Sequence, residues 1–124
     1  MEGKKHDVGK LRYDLIPVYP MERLAEVYTI GAAKYGDYNY LKGMKWGRIF
    51  AAMMRHAWAW WRGEIYDPVD GQAHLASVAW CAFALMEYQH RHIGEDDRPF
   101  IDPPRNAKDI MIDTIKQEIE RACD

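Results

Sequence analysis

The chain has 124 residues, enough for one domain, and its 48% apolar and 29% charged residues exclude an intrinsically disordered protein. A formal net charge of -2 argues against broad electrostatic binding to nucleic acid, which usually needs a strong basic excess. Two isolated cysteines, the lack of a hydrophobic leader and the shortness of every apolar run favour a cytoplasmic protein with no membrane partner.

The first predicted element in chain order is a helix from Pro20 to Gly36. Proline is tolerated in the first helical turn, and glycine commonly ends a helix. The polar segment before this helix is predicted to be extended, and "GDYNYLKGMKWG" after it is predicted to be a long loop because of its glycines. The apolar positions recur at helical spacing: Leu24, Val27, Tyr28, Gly31, Ala32 and Tyr35.

Two further helices are predicted, from about Arg48 to Arg62 and from about Gln72 to His92. The second of these is apolar almost all round between Leu75 and Met86, which is typical of a helix surrounded by others. It is therefore predicted to be the centre of a bundle.

The C-terminal part is predicted to be a turn-rich linker followed by a last helix that Asn106 caps. No period-two strand pattern occurs, so the fold class is all-α: a compact bundle of about four helices, completed by a homodimer or homotetramer. We assign residues 1–92 to the helical core and 93–124 to packing or oligomerisation. The apolar stripe of the last helix is narrow: Ile112, Ile115, Ile119 and Ala122.

The stretch "RHAWAWWRGEIYDPVDGQAHLA", Arg55 to Ala76, suggests a metal site. On a helical wheel His56 and Asp67 point in nearly the same direction, and Glu64 and Asp67 would lie one turn apart, where two carboxylates can share a divalent cation. A hairpin would return Asp70 and His74 to the same place. Solvated carboxylates and a hydrogen-bonded core histidine are the alternative, and spacing alone leaves both open.

Two other motifs could bind a nucleotide. In "GKLRYDLIP", Lys10 and Arg12 can engage phosphate, although cations in a lead-in segment are often only solvated. In "KYGDYNYLKGMKW", lysines alternate with aromatic residues and Asn39, and such side chains can meet phosphates, stack on a base and bond to its edge. Purely structural tyrosines explain this loop equally well.

Together, "GKLRYDLIP", "GAAKYGDYN" and the Arg55 to Ala76 stretch, in that order, resemble the small phage-type dATP/dGTP diphosphohydrolases (MazZ-like). These belong to the all-α nucleotide pyrophosphatases related to MazG. The resemblance covers about Lys4 to Leu85, and residues from Gly94 onward lie outside it.

The resemblance implies a metal-dependent enzyme of a phage-infected or host bacterial cell that hydrolyses dGTP or dATP to the monophosphate and pyrophosphate. Mg²⁺ or Mn²⁺ would neutralise phosphate charge and activate water. By motif position, Glu64 and Asp67 are the leading metal ligands, and His56 and His74 are candidate ligands or general bases. The same comparison assigns triphosphate binding to Lys10, Arg12, Lys34 and Arg55, and contact with the base to Tyr35 and Asn39.

Several positions depart from the family pattern. Val69 stands where an acidic residue is common, so that carboxylate is either displaced to Asp70 or absent, and Ser77 replaces a histidine. One alternative is a triphosphohydrolase, but its adjacent His-Asp pair occurs here only as His6-Asp7 in the lead-in. The other is an inactive nucleotide-binding or oligomerising module, an interpretation that Val69 and Ser77 keep open.

Overall fold

The computed structural model describes residues 2–101 and 107–123, and the regular structure in these ranges is helical. Two short 3-10 turns, Tyr13–Leu15 and Asn39–Lys42, precede and follow the first helix. Within the described ranges the only β-type pairings are two isolated bridges, Lys45 with Glu95 and Tyr66 with Ala73. The all-α prediction is therefore confirmed. The four helices are α1 (Val18–Tyr35), α2 (Trp46–Trp61), α3 (His74–Arg91) and α4 (Ala107–Cys123).

The ends of α1 follow from its proline and glycine residues. Pro17, with a φ of -68° and extended ψ, precedes the first turn, and Pro20 lies within that turn as predicted. Gly36 ends the helix with a φ of +95°, and its N–H donates to the carbonyl of Ala32. A side chain is strained at this φ, so glycine suits the position.

The core lies where α3 packs against α1 and α2. Cys81, Ala84 and Tyr88 from one face of α3 meet Ile49 from α2, and all four are buried. The Tyr88 hydroxyl donates to the carbonyl of Tyr40, which ties the loop after α1 to the core. This packing confirms that α3 is the centre of the bundle. Partly buried apolar residues complete the cluster: Met44, Trp46, Ala52, Met53, Trp80, Leu85 and Ile93.

The segment 93–98 packs across the start of α2. The indole N–H of Trp46 donates to the carbonyl of Ile93 at 2.9 Å, and the Gly47 N–H donates to the Asp97 carboxylate at 2.7 Å. Arg98 lies over the Trp46 ring, 5.1 Å from its centroid. These contacts join the segment to the helical core.

Helix α4 is present as predicted, and its apolar stripe is on the surface. Every side chain of α4 whose exposure is described is exposed, including Ile115 and Ile119. The predicted cap residue, Asn106, lies outside the described residues. Across the part of the chain that the structure describes, no helix combines the length and apolar character needed to cross a membrane.

Candidate metal centre and adjoining cavity

The loop between α2 and α3 folds back on itself and positions the acidic residues of the candidate site. Helix α2 ends at Trp61, and Gly63, with a φ of +104°, turns the chain. The His74 N–H then donates to the Ile65 carbonyl at 3.0 Å, which closes the loop. The helical-wheel placement of Glu64 and Asp67 is wrong, because α2 ends before either residue.

The loop nevertheless brings His56, Asp67 and His74 together. Each residue offers one possible ligand atom, and these atoms all lie within 4.8 Å of one another. The Nδ1 atoms of the two histidines are 2.9 Å apart. His74 is only 4% exposed, whereas His56 and Asp67 are half-buried. This cluster is the only group of three such residues within the described ranges.

Glu64 lies on the other side of the His74 ring. Its Oε1 is 2.6 Å from the His74 Nε2. An ionised carboxylate can only accept, so Nε2–H donates to Glu64 and Nδ1 carries the lone pair that faces His56. Carboxylates commonly orient metal-binding histidines through this contact.

The charge state of His56 also leaves it able to bind a metal ion or a proton. Burial lowers the pKa of His56, and the neighbouring His74 acts in the same direction, while Asp67 and Asp70 oppose the shift. A lowered pKa keeps the imidazole neutral near pH 7, and only a neutral imidazole has a lone pair for a metal ion or a proton.

A cavity of about 810 Å³ adjoins the cluster. This volume is within the range of pockets that hold small molecules and cofactors. His56 and Asp70 lie in its wall, and Asp70 is held in place by accepting from the Gln72 N–H at 3.0 Å. Three residues predicted for substrate binding, Lys34, Tyr35 and Asn39, also line the cavity.

Aromatic rings form part of the cavity wall. The rings of Tyr28, Tyr40 and Trp80 lie 5.8 to 6.2 Å apart, centroid to centroid, in edge-on and tilted pairs. Burial raises the pKa of Tyr28 to about 12, so its hydroxyl stays protonated and can donate. This part of the wall can contact a flat apolar group such as a base.

Several polar residues of the cavity are not among the site residues predicted from the sequence. Arg48 lies two turns before His56 on the same face of α2, a spacing that could have identified it. Gln72 has a buried side-chain oxygen with no hydrogen-bond partner among the described residues. No sequence pattern predicts where this oxygen lies, because Gln72 is in a loop and not in a periodic element. These residues include Thr29, Asp37, Arg48, Gln72 and Ser77, the last noted in the sequence only because it replaces a histidine.

The other residues predicted to bind the substrate, Lys10, Arg12 and Arg55, do not line this cavity. Arg12 is exposed and forms a two-pronged ion pair with Asp14, at 2.7 and 2.8 Å, while Lys10 is exposed in the lead-in. Arg55 lies on another face of α2, in a separate depression with Trp58 and Arg62. In this conformation the lead-in motif that contains Lys10 and Arg12 is thus separate from the cavity.

The fold and site define a small helical protein with a histidine and carboxylate cluster beside a large, partly aromatic cavity. A model of the family "dATP/dGTP diphosphohydrolase, N-terminal" matches residues 1–98. The chain belongs to this family. The motif resemblance is therefore confirmed, and the matched range extends to residue 98, past the predicted limit near Leu85.

A curated relative agrees with this assignment. A dATP/dGTP diphosphohydrolase of Salmonella phage PMBT28 is 32% identical over 98 residues, which is 79% of this chain and 33% of the relative. The chain thus spans about a third of the length of that relative. No solved structure matches the chain.

Proposed function

We propose that the protein hydrolyses a purine deoxynucleoside triphosphate, dGTP or dATP, to the monophosphate and pyrophosphate with the help of Mg²⁺ or Mn²⁺. Family membership and the name of the phage relative support the substrate and the reaction. The observation that carries the proposal is the convergence of His56, Asp67 and His74, within 4.8 Å of one another, beside a cavity of about 810 Å³.

The donor set fits a divalent cation. Imidazole nitrogens bind transition metals at ~2.0–2.1 Å, so two nitrogens that lie 2.9 Å apart can both contact one ion. Asp67 adds an anionic oxygen, and the mixed set suits Mn²⁺ better than Mg²⁺, which prefers oxygen ligands. We propose that His56, Asp67 and His74 hold the ion.

The two other predicted ligands have different partners in this conformation. Glu64 bonds to His74, and Asp70 bonds to Gln72. We propose that Glu64 fixes the tautomer and direction of His74, so that its Nδ1 lone pair points toward His56. Asp70 would keep the loop in place and supply negative charge at the cavity wall.

The reaction requires water to bond to the α-phosphorus while the bond to the bridging oxygen breaks and pyrophosphate leaves. A bound ion supplies charge neutralisation on the phosphates and acidifies water. Lys34, which lines the cavity, would supply positive charge to the phosphates, and the Tyr28, Tyr40 and Trp80 rings would exclude water from the base. Tyr35 and Asn39 would border the base, because both line the cavity.

The direct test is to incubate the protein with each deoxynucleoside triphosphate and Mg²⁺ or Mn²⁺ and to identify the products. We expect pyrophosphate and monophosphate from dGTP or dATP, and a loss of about 100-fold or more in Asp67→Asn, because loss of a ligand weakens metal binding. Asp113→Asn on α4 is the matched control. Release of intact triphosphate would support the triphosphohydrolase alternative, and binding without turnover would support an inactive module.

We also propose that the enzyme is a homodimer or homotetramer in the cytoplasm of a phage-infected or host bacterial cell. Support for the assembly comes from exposed aromatic residues on α2: Trp58 is 55% and Trp61 72% exposed. Large apolar side chains in such numbers on one helix surface are typical of subunit interfaces.

A further inference from the structure

Arg48 lies on the side of α2 that lines the cavity. Arg48, Ala52 and His56 are four residues apart, share one face of the helix, and all border the cavity. At a rise of ~1.5 Å per residue, Arg48 and His56 are separated by ~12 Å along the helix axis. The helix thus fixes the backbone of Arg48 two turns from His56, and the side chain of Arg48 is exposed at the cavity.

Small side chains form part of the cavity wall between the cluster and Arg48, beside the larger Met44 and Trp80. Helices α2 and α3 are antiparallel, because His56 meets His74 at one end and Trp46 meets Ile93 at the other. Ala52, one turn before His56, and Ser77, one turn after His74, both border the cavity. Their small size leaves room for a bound group to extend from the cluster toward Arg48.

The charge of Arg48 is not neutralised by a neighbour. Within the described residues no carboxylate lies within ion-pair distance of its guanidinium, whereas most other arginines do have such a partner. Two carboxylates border the same cavity, Asp37 and Asp70, and Asp70 already accepts from Gln72. The paired arginines are Arg12, Arg23, Arg91, Arg98 and Arg121.

We propose that Arg48 binds the β- and γ-phosphates of the substrate, and therefore the departing pyrophosphate. This inference rests on the proposed function, in which the His56, Asp67 and His74 cluster acts at the α-phosphate. The separation along α2 is comparable with the combined reach of an arginine side chain and a diphosphate group. Guanidinium groups bind phosphate oxygens through two parallel hydrogen bonds, and such bonds are strong when the donor is charged. Lys34, which also lines the cavity, would add a second cation.

The test compares two ligands that differ only in the phosphates that Arg48 would contact. The dissociation constants of the non-hydrolysable α,β-methylene analogue of dGTP and of dGMP are measured by calorimetry at one Mn²⁺ concentration. In Arg48→Gln we expect binding of the triphosphate analogue to weaken by ~10-fold or more, and that of dGMP by less than ~2-fold, because charge-assisted hydrogen bonds to the distal phosphates are lost. For Arg48→Lys we expect an intermediate loss of affinity for the triphosphate analogue, because lysine keeps the charge but cannot form the two parallel hydrogen bonds.

Arg62→Gln is the control, because it removes the same charge from the end of α2 outside the cavity. Equal weakening of both ligands would overturn the proposal and place Arg48 at the base or the α-phosphate, and no weakening would remove it from the site. The proposed function fails separately, if the wild type releases no pyrophosphate from any deoxynucleoside triphosphate. A wild type that binds neither these guanine ligands nor the corresponding adenine ligands overturns both.

Discussion

At the scale of single residues, His74 links His56 on one side of its ring to Glu64 on the other. It is buried, with Nδ1 facing His56 and Nε2 facing Glu64. The Glu64 contact arises because the loop between α2 and α3 brings this carboxylate to Nε2, whereas His56 faces Nδ1 from α2. In the proposed metal site, a carboxylate in this position would act on the ion through the histidine that it orients.

Glu64→Ala is therefore expected to weaken Mn²⁺ binding by about 10- to 100-fold without abolishing it, the usual effect of removing a group that orients a ligand. Calorimetric titration with Mn²⁺ measures this change, and Glu118→Ala on α4 is the control. A loss as large as that of Asp67→Ala would instead make Glu64 a direct ligand. Unchanged affinity would show that its contact with His74 has no role in binding.

The two cysteines have opposite environments. Cys81 is buried in the core, and burial raises its pKa to about 11, while Cys123 is exposed near the end of α4. Because the thiolate is the reactive form, a raised pKa lowers reactivity at pH 8, and burial blocks the reagent as well.

With a thiol-specific disulfide reagent at pH 8, one thiol per chain should react rapidly, and the other only after unfolding in guanidinium chloride. The rapid reaction should disappear in Cys123→Ser. Rapid labelling that persists in this variant would mean that Cys81 is accessible in the folded protein.

At the scale of elements, the helices could be predicted from the sequence because their signals are local. Apolar spacing indicated the four helices, and Gly36 ends α1 as expected. The path of the chain between α2 and α3 could not be predicted in the same way. Gly63 ends the helical geometry there, so Asp67 approaches His56 across a loop, where periodicity has no meaning.

Long-range contacts explain why the packing of segment 93–98 could not be predicted from the sequence. The segment 93–98 reads as a polar linker, yet it packs on the start of α2, about 50 residues earlier in the chain. Gly94, with a φ of +77°, sits so close to the Met44 backbone that no side chain would fit. Such a close approach leaves no periodic signal, because it depends on where two distant segments meet.

Asp97 caps α2 from a distance, and its removal should destabilise the fold. In Asp97→Ala the Gly47 N–H loses its acceptor, so the free energy of unfolding should fall by about 1 kcal/mol, the typical value of an N-terminal cap. Urea unfolding monitored by circular dichroism measures the loss. Asp96→Ala, which removes an exposed carboxylate paired with Arg98, should cost distinctly less, because an exposed ion pair adds little to stability. Equal losses in the two variants would contradict the capping role.

The whole molecule combines a small core with an apolar surface. The buried apolar residues of the described ranges include several small ones, such as Ala59, Ala76 and Ala84, whereas many large apolar side chains are exposed. The exposed residues Phe50, Trp58 and Trp61 follow one another along α2 at near-helical spacing. The exposed isoleucines of α4 form a second stripe. A chain with two such surfaces gains stability if another copy covers them.

The proposed assembly makes a prediction about mass in solution. Light scattering at micromolar concentration should give the mass of a dimer or tetramer of the 14.5 kDa chain. Trp58→Glu should shift the mass toward the monomer, because a carboxylate in an apolar interface must be desolvated without a partner. Phe100→Glu is the matched control, because Phe100 is exposed but lies off the helical stripe. A wild type that is already monomeric would contradict the assembly, and an unchanged mass in Trp58→Glu would place the interface away from this surface of α2.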